Sequence, residues 1–164
     1  MKLNLYVCSL ALCGAMALQS CSDDNNPTNV SEAIQSALEA KYPTVTGEEW
    51  EQKSGYYVAE FRTNGMETDA WFTTAGVWCM TETDLGRDKS ALPTEVKAAF
   101  EGSDYKTWTV EDIDKYERPN ETFYLIEVET AGKPDHKLYY ATDGTLLKSV
   151  DDAENDDVLP TTVI

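Results

Sequence analysis

The sequence predicts an α+β fold made of two tandem repeats, each a helix followed by a four-stranded antiparallel meander. Two segments, Trp71–Trp78 and Tyr139–Leu146, start with an aromatic pair and continue into a turn formed by a small residue and a glycine. The turns are Ala75-Gly76 and Asp143-Gly144, and Asp-Gly between strand-like runs is a strong hairpin signal. A hairpin that recurs in the second half of the chain indicates a duplicated unit.

Residues 1–20 are predicted to be a signal peptide and not part of the fold. Lys2 provides a positive start, residues 3–18 are mostly apolar, and Gln19-Ser20 leads into Cys21. The segment is too short and wrongly flanked for a membrane-spanning helix. Its end resembles a bacterial lipoprotein signal, which implies that Cys21 is the first mature residue and carries the lipid. Cleavage without lipid is the alternative, because position 19 is not the small or β-branched residue usually found there.

Residues 21–30 are polar and contain Pro27, so they are predicted to form a flexible tether. Within them, Ser22–Asp24 is similar to the acidic export signal of Bacteroidetes lipoproteins. This resemblance implies an outer-membrane lipoprotein that faces the periplasm or the cell surface. We expect contact with the membrane through the lipid only.

The charge and the cysteines limit the function further. Thirteen basic against thirty acidic residues give a net charge of −17, which repels phosphate groups, so nucleic acid is not an expected partner. Such a charge could steer the protein to a basic cleft, although solubility explains it equally well. Cys79 is the one cysteine outside the signal peptide and the lipidation site, so no intramolecular disulfide is predicted. We expect Cys79 to be a small buried core residue.

The first repeat is predicted to span residues 31–86. Its helix begins at Ser31, a favourable N-cap residue, and ends at Pro43. Apolar residues recur four apart on one face, at Ile34, Leu38 and Tyr42. Turn residues separate four strand-like runs, which are residues 47–53, 56–63, 68–74 and 77–83. With such short connections these strands can pair only as antiparallel neighbours.

The second repeat is predicted to span residues 91–152. Its helix has Pro93 at the first helical position and ends at Gly102. The apolar face of this helix is formed by Val96, Ala99 and Phe100. Strand-like runs recur at residues 107–115, 122–129, 136–142 and 145–150, and an insertion at residues 117–120 lengthens the first hairpin of this copy.

Residues 153–164 are predicted to form a frayed acidic tail, because the run of Asp, Glu and Asn from residue 151 to 157 is solvated. Val158-Leu159 and Val163-Ile164 are apolar, so docking of this segment on the sheet edge is the alternative.

The order of these motifs is similar to a known family. A lipoprotein signal followed by helix-plus-four-strand repeats, with Leu92–Phe100 opening the second copy and Asp143-Gly144 in its last hairpin, resembles the PepSY-like exported proteins of Bacteroidetes. Their fold is similar to that of the β-lactamase-inhibitor protein, which implies one long curved antiparallel sheet with helices on one face. The resemblance covers residues 31–152. It implies no established activity, and no inhibitory contact residue can be carried over to this sequence.

Few residues point to catalysis, a cofactor or a metal. His136 is the one histidine, and neither a Gly-x-Ser-x-Gly elbow, a His-Glu-x-x-His motif nor a Cys pair accompanies it, so no catalytic residue is predicted. We therefore expect a protein that is not an enzyme and has no cofactor. Carboxylates cluster at residues 111–114 and 151–157, but neither cluster has the Asp-x-Asp-x-Asp-Gly pattern of a calcium loop, so no metal site is predicted.

The aromatic residues divide by strand alternation between the two faces of the sheet. One face collects Tyr57, Ala59, Phe61, Phe72, Tyr124, Ile126, Val128 and Tyr140. The other collects Tyr56, Glu60, Trp71, Phe123, Glu127, Lys137 and Tyr139. Charged neighbours make the second face the wetter one, and its aromatic residues form the candidate binding face, namely Tyr56, Trp71, Phe123 and Tyr139. The alternative is that these aromatic residues pack against the tail, a neighbouring repeat or the helices.

These observations predict a non-enzymatic, lipid-anchored binding or inhibitor-like module. It would present one face of a curved sheet to an extracytoplasmic protein or peptide. The alternative is a surface protein that binds a glycan or another small ligand, with the same aromatic side chains as stacking platforms.

Overall fold

One antiparallel sheet of eight strands and two helices make up the part of the chain that the structure, a computed structural model, describes: residues 29–151 and 158–164. The helices are α1 (Glu32–Lys41) and α2 (Thr94–Gly102). The strands are β1 (Glu49–Lys53), β2 (Tyr56–Thr63), β3 (Met66–Phe72), β4 (Trp78–Asp84), β5 (Thr109–Arg118), β6 (Glu121–Glu129), β7 (His136–Ala141) and β8 (Leu146–Asp151). They follow one another across the sheet in chain order. The predicted mixture of helices with one antiparallel sheet is confirmed.

The helices begin close to the predicted residues. Ser31 is the N-cap of α1; its carbonyl oxygen accepts a hydrogen bond from the Ile34 backbone N–H, but its side chain makes no cap bond. Pro93 is the N-cap of α2 and not its first helical residue, which is Thr94. A short 3-10 turn, Lys89–Ala91, precedes α2. Neither α1 nor α2 has the length and apolar composition needed to cross a membrane.

Both helices cover the same side of the sheet, which we call the helix face. The buried residues at α1 are Ile34, Leu38, Ala59, Phe61, Ala70 and Phe72. Those at α2 are Leu92, Val96, Phe100, Ile113, Tyr124, Ile126, Val128, Leu138 and Tyr140. The strand residues in these two lists include most of those that alternation assigned to the first face, so that face assignment is confirmed.

Two glycine turns approach the helices in matching ways. Gly76, between β3 and β4, has a φ of 79°, and a Cβ added there would lie 2.8 Å from the Ala33 carbonyl oxygen of α1. Gly144, between β7 and β8, has a φ of 84°, and a Cβ would lie 2.6 Å from the Glu95 carbonyl oxygen of α2. Glycine is required at both positions, because any side chain would collide with a helix backbone and strain a left-handed conformation.

Two β-bulges also occupy matching positions. Between β3 and β4 the pairing passes from Trp71 with Met80 to Phe72 with Trp78, so Cys79 is the extra residue. Between β7 and β8 the extra residue in the equivalent place is Leu147. The prediction that Cys79 is a buried core residue is wrong in degree: the bulge leaves its side chain half-buried.

The other side of the sheet, the outer face, has a core of its own. Its buried residues are Val58, Trp71, Met80, Tyr116, Phe123, Leu125, Tyr139 and Val158. Val158 belongs to residues 158–164, which we call the strap, and Leu159 and Ile164 of the strap pack against the same cluster. The prediction of a frayed tail is wrong for the strap, and the strap docks on a face of the sheet instead of its edge. Residues 152–157 of the predicted tail lie outside the described residues.

Candidate binding face

The four aromatic residues of the candidate binding face lie together on the outer face, as alternation predicted. Strand pairing places Trp71 beside Val58, and the Tyr56 and Trp71 rings are 6.0 Å apart. The Phe123 ring stacks on Tyr116 at 5.0 Å and lies 6.2 Å from Tyr139. The rings therefore form two groups, which belong to one buried cluster with Val58, Met80 and Leu125.

The expectation that these side chains are exposed is wrong. Trp71 and Phe123 are each 1% exposed and Tyr139 is 4% exposed, while Tyr56 is half-buried. The physical reason is the strap, which places apolar side chains over the rings and removes them from water. The predicted alternative, packing against the tail, describes the observed arrangement.

Arg118, near the end of β5, holds the strap in place. Its Nη1 donates a hydrogen bond to the carbonyl oxygen of Thr162 and its Nη2 to that of Leu159, each at 2.8 Å. Nη1 also lies 2.7 Å from the Glu121 carboxylate, and the guanidinium lies 5.1 Å from the Phe123 ring centre. The strap is thus held through main-chain carbonyls, which any peptide carries.

Two buried donors of the outer face have no hydrogen-bond acceptor among the described residues. They are the indole Nε1 of Trp71 and the Nε of Arg118. A buried donor without a partner costs on the order of 1–3 kcal/mol. The strap therefore covers the aromatic residues without satisfying all of the polar groups beneath it.

Next to the strap the outer face becomes acidic. Pairing places Glu60 opposite Asp69, Asp69 opposite Glu82, and Asp84 opposite Asp114. Like charges that face each other across strands are destabilising. Carboxylates of four strands, β2 to β5, therefore crowd into one patch.

Burial and these neighbours change the acidity of the patch. Burial, followed by the charges of Glu82 and Glu60, raises the pKa of Asp69 to about 7. Burial, followed by Glu82 and Asp112, raises the pKa of Asp114 to about 8. The Glu82 carboxylate accepts a hydrogen bond of 2.8 Å from the Tyr116 hydroxyl, which joins the patch to the aromatic cluster.

Two cavities of about 210 Å³ each open on this patch. The strap cavity lies beside Val158. Its lining combines apolar side chains with four carboxylates and two lysines: Trp71, Tyr116, Leu125, Asp69, Glu82, Asp114, Glu127, Lys53 and Lys137. The acidic cavity is lined by Glu67, Thr68, Asp69, Glu82, Asp84, Asp112 and Asp114. Sequence reasoning noticed residues 111–114 as a cluster but missed Asp84, because only the pairing of β4 with β5 brings it there.

Comparison with known proteins places the chain in a family. The sequence model of the PepSY-like family, a group of proposed beta-lactamase-inhibitor-like proteins, matches residues 55–148. The chain is a member of the PepSY-like family. No curated protein matches its sequence.

Solved structures agree with this assignment. A BLIP-like protein from Bacteroides fragilis is 38% identical with a TM-score of 0.76, and the alignment covers 84% of this chain and 97% of that one. A DUF2874 family protein from Bacteroides ovatus is 30% identical with a TM-score of 0.76, covering 82% and 97%. A proposed periplasmic protein from Bacteroides eggerthii is 28% identical with a TM-score of 0.71, covering 77% and 94%.

The helix face of this PepSY-like protein also carries a groove, of about 360 Å³. It is bounded by Tyr42 at the end of α1, by Ala91 before α2, and by residues of β2 to β6 that include Thr81 and Tyr124. The Tyr42 and Thr81 hydroxyl oxygens are 2.6 Å apart, and the Trp78 indole donates to Thr81 at 2.9 Å. Hydroxyl groups and two aromatic rings therefore line this helix-side groove.

The His136 side chain of this PepSY-like protein is held in place by polar and aromatic neighbours. Its Nε2 lies 3.1 Å from the Asp151 carboxylate, and its Nδ1 lies 3.0 Å from the Asp135 carbonyl oxygen. The ring also packs 5.3 Å from the ring of Trp108. Both ring nitrogens are engaged, so neither is free to activate a nucleophile in the manner of a catalytic triad.

Proposed function

We propose that this PepSY-like protein is a non-enzymatic binding or inhibitor-like module that takes a peptide segment of a protein partner on its outer face, in place of its own strap. The observation that carries the proposal is that a peptide segment, the strap, already lies on this face. Arg118 holds it by two carbonyl oxygens and Val158 by burial, and both kinds of contact are open to other sequences.

The unsatisfied donors give a partner a way to compete. A segment with an acceptor near the Trp71 indole or the Arg118 Nε would gain hydrogen bonds that the strap does not make within the described residues. Such a gain offsets part of the loss of the strap contacts.

The acidic patch suggests the chemistry of the partner. The strap cavity joins apolar residues around Val158 to the carboxylates of Asp69 and Asp114. A segment with an apolar residue next to Lys or Arg would fill the apolar part and place its charge beside the carboxylates. The net charge of −17 would add long-range attraction to the same partner.

A lipid on Cys21 would hold the module at the outer membrane, facing the periplasm or the cell surface. The comparison supports an exported protein through the proposed periplasmic relative, whereas Cys21 and the signal peptide lie outside the described residues. Cys21→Ala is expected to release the protein from membranes in cell fractionation. Continued membrane association of this variant would contradict lipid anchoring.

The binding proposal is tested with a protein that lacks residues 158–164 and a fluorescent peptide of the sequence Val-Leu-Pro-Thr-Thr-Val-Ile. The peptide should bind the deletion protein and not the full chain. Arg118→Ala in the deletion protein should weaken binding by about tenfold or more, because hydrogen bonds to a charged group contribute about 1.5–3 kcal/mol each. The matched control is Arg62→Ala, which removes an exposed arginine of the same face that pairs with Glu67.

Circular dichroism checks that the deletion protein is folded. A folded deletion protein that binds no peptide, or equal loss in the Arg118 and Arg62 variants, would refute the proposal. If the deletion prevents folding, Val158→Asp in the full chain is the second variant, because a charge at this buried position should expel the strap without shortening the chain.

A second candidate function is the binding of a glycan or other small ligand in the helix-side groove. Its volume of about 360 Å³ lies within the range of small-molecule sites, and Tyr42 and Tyr124 offer rings for stacking. Saturable binding on a glycan array that is lost in Tyr124→Ala but kept in the strap deletion would favour this function.

We also infer that the two halves are copies of one helix-plus-four-strand unit. Matching glycine contacts at Gly76 and Gly144 support this, as do matching bulges at Cys79 and Leu147. The binding face would then have arisen by joining two equivalent outer surfaces.

A further inference from the structure

We propose that Asp84, Asp112 and Asp114 bind a calcium ion on the outer face, at the junction of β4 and β5. This site goes beyond the proposed peptide function, although Asp114 also lines the strap cavity, and its test uses metal ions without any peptide. It departs from the sequence analysis, which predicted no metal site because no local calcium motif is present.

The spacing of the three carboxylates suits one ion. One oxygen from each of Asp84, Asp112 and Asp114 can be chosen so that all three lie within 4.8 Å of one another. Calcium binds oxygen ligands at about 2.3–2.6 Å, so two ligands of one ion are at most about 5 Å apart. The observed spacing falls within this limit.

Asp114 is the carboxylate that a bound cation would stabilise most. It is 8% exposed, and within residues 29–151 and 158–164 its carboxylate makes no hydrogen bond and no ion pair. It points into the cluster, because its oxygen is near those of Asp84 and Asp112 and because it lines the acidic cavity. A buried carboxylate is normally paired or bound to a metal.

The neighbours of Asp114 add electrostatic repulsion that a cation would relieve. Asp84 lies directly opposite it in the β4–β5 ladder, so two like charges face each other where strands should attract. The Asp84 Oδ1 is fixed by a hydrogen bond of 2.6 Å from the Gly86 backbone N–H, which leaves its other oxygen available to an ion. A divalent cation would convert this repulsion into attraction.

The donor set favours calcium over other divalent ions. All three ligands are carboxylates, which are hard oxygen donors, and zinc sites use mainly nitrogen and sulfur. The acidic cavity, of about 210 Å³, has room for the water molecules that complete a coordination of six to eight oxygens. Magnesium demands near-ideal octahedral geometry, which three side chains fixed on two strands meet less readily than the flexible calcium shell.

A bound ion would join the two halves of the sheet. Asp84 ends β4, the last strand of the first half, while Asp112 and Asp114 lie on β5, the first strand of the second half. This ladder has four residue pairs, whereas the β5–β6 ladder has nine. The ion would therefore strengthen the β4–β5 ladder, which joins the two halves and is the shortest ladder of the sheet.

Terbium luminescence tests the site directly. Terbium occupies calcium sites and emits when nearby aromatic side chains are excited, and Trp71 and Tyr116 line the strap cavity together with Asp114. The purified protein should give sensitised emission that millimolar calcium chloride reverses. Asp84→Asn with Asp112→Asn should weaken terbium binding by about tenfold or more, because the number of charged ligands tunes affinity over orders of magnitude.

The control removes a like-charged pair from the same face. Glu49 and Glu60 face each other between β1 and β2, so Glu49→Gln with Glu60→Gln makes the same change in charge outside the cluster. This variant should keep wild-type terbium affinity. Absence of sensitised emission from the wild-type protein, or equal weakening in both double variants, would overturn the proposal.

Thermal unfolding gives a second measurement, which does not depend on luminescence. Calcium should raise the Tm of the wild-type and Glu49/Glu60 proteins, with a stabilisation that grows with the logarithm of the calcium concentration above Kd, and should leave the Tm of the Asp84/Asp112 variant unchanged. An equal rise with sodium chloride at matched ionic strength would assign the effect to screening and refute a specific site.

Discussion

The two faces of the sheet are covered by different means. On the helix face, two helices seal a continuous apolar layer, and each helix belongs to the half that it covers. On the outer face, the seven-residue strap covers an aromatic cluster, and carboxylates occupy the surface beside it. The helix face is covered by two helices, whereas the outer face is covered by one short segment and retains unsatisfied polar groups. The difference teaches that two equally buried layers can be covered by elements of very different size, and the proposed peptide binding depends on that difference.

Phe100→Ala should cause the largest loss in the free energy of unfolding, because Phe100 lies in the core of the helix face. Phe100 is fully buried between α2 and the sheet, and truncation of such a side chain costs about 3–5 kcal/mol. Urea denaturation measures the loss in the free energy of unfolding. A loss below about 1 kcal/mol would mean that α2 is not essential to this core.

Gly144→Ala should also destabilise the helix face strongly. The added Cβ would meet the Glu95 carbonyl oxygen at 2.6 Å, and strained backbone conformations alone cost about 1–3 kcal/mol. Gly86→Ala is the matched control, since Gly86 has a φ of 70° but open space around its Cβ position. The difference in unfolding free energy between the two variants measures the contact of the hairpin with α2, and equal losses would contradict that contact.

Deletion of the strap should cost less than loss of a helix-face residue. The deletion forfeits the burial of Val158, about 1.5–3 kcal/mol, and the two Arg118 hydrogen bonds, but about 1–2 kcal/mol of backbone entropy regained for each strap residue offsets most of this loss. Urea denaturation measures the change, and acrylamide quenching should increase as Trp71 becomes exposed. Full retention of Trp71 protection in the deletion protein would show that another segment covers the outer face.

The remaining prediction is a pH dependence that comes from the outer face, where solvent screening reduces its size. The raised pKa of Asp69, about 7, means that the folded state holds this proton more tightly than the unfolded state, whose aspartate pKa is about 3.9. Its stabilising contribution is complete below about pH 4 and is lost as the pH rises through about 7. The wild-type unfolding free energy should therefore fall with pH more steeply than that of Asp69→Asn.

The groups that act on Asp69 lie on the adjacent strands β2 and β4 and on β1, one strand further away. They are Glu82 on β4, Glu60 on β2, and Glu51 and Lys53 on β1. Urea denaturation between pH 4 and pH 7 compares the Asp69 variant with Glu67→Gln, which changes an exposed carboxylate of the same strand. Parallel pH profiles for wild type and Asp69→Asn would contradict the raised pKa.

Local patterns were sufficient to predict the sheet and its helix face. Alternation placed Phe72 and Trp71 on opposite sides, and short turns such as Asn64-Gly65 fixed the order of the strands. The helix residues Ile34 and Leu38 were found by their spacing. These features depend on residues close together in the chain, which is why one sequence reveals them.

Features that depend on distant pairing were missed or misjudged. The cover over Trp71 comes from residues 158–164, beyond an acidic run that suggested a solvated tail. The partner of Asp114 is Asp84, across the connection that contains α2. The bulge that places Cys79 outside the regular pairing leaves no sign in a pattern with a period of two.

The bulge at Leu147 also affects what can happen at the rim of the sheet. The two edge strands of the sheet are β1 and β8. The bulge interrupts the regular pairing of β8. β1 is short and has a charged residue at every second position, namely Glu49, Glu51 and Lys53. Edge strands of this kind disfavour pairing with an additional strand, because bulges and charges interrupt the main-chain hydrogen bonds that an incoming strand would make. Recognition by strand addition is therefore disfavoured, and the protein should remain free of edge-to-edge association into larger sheets at high concentration.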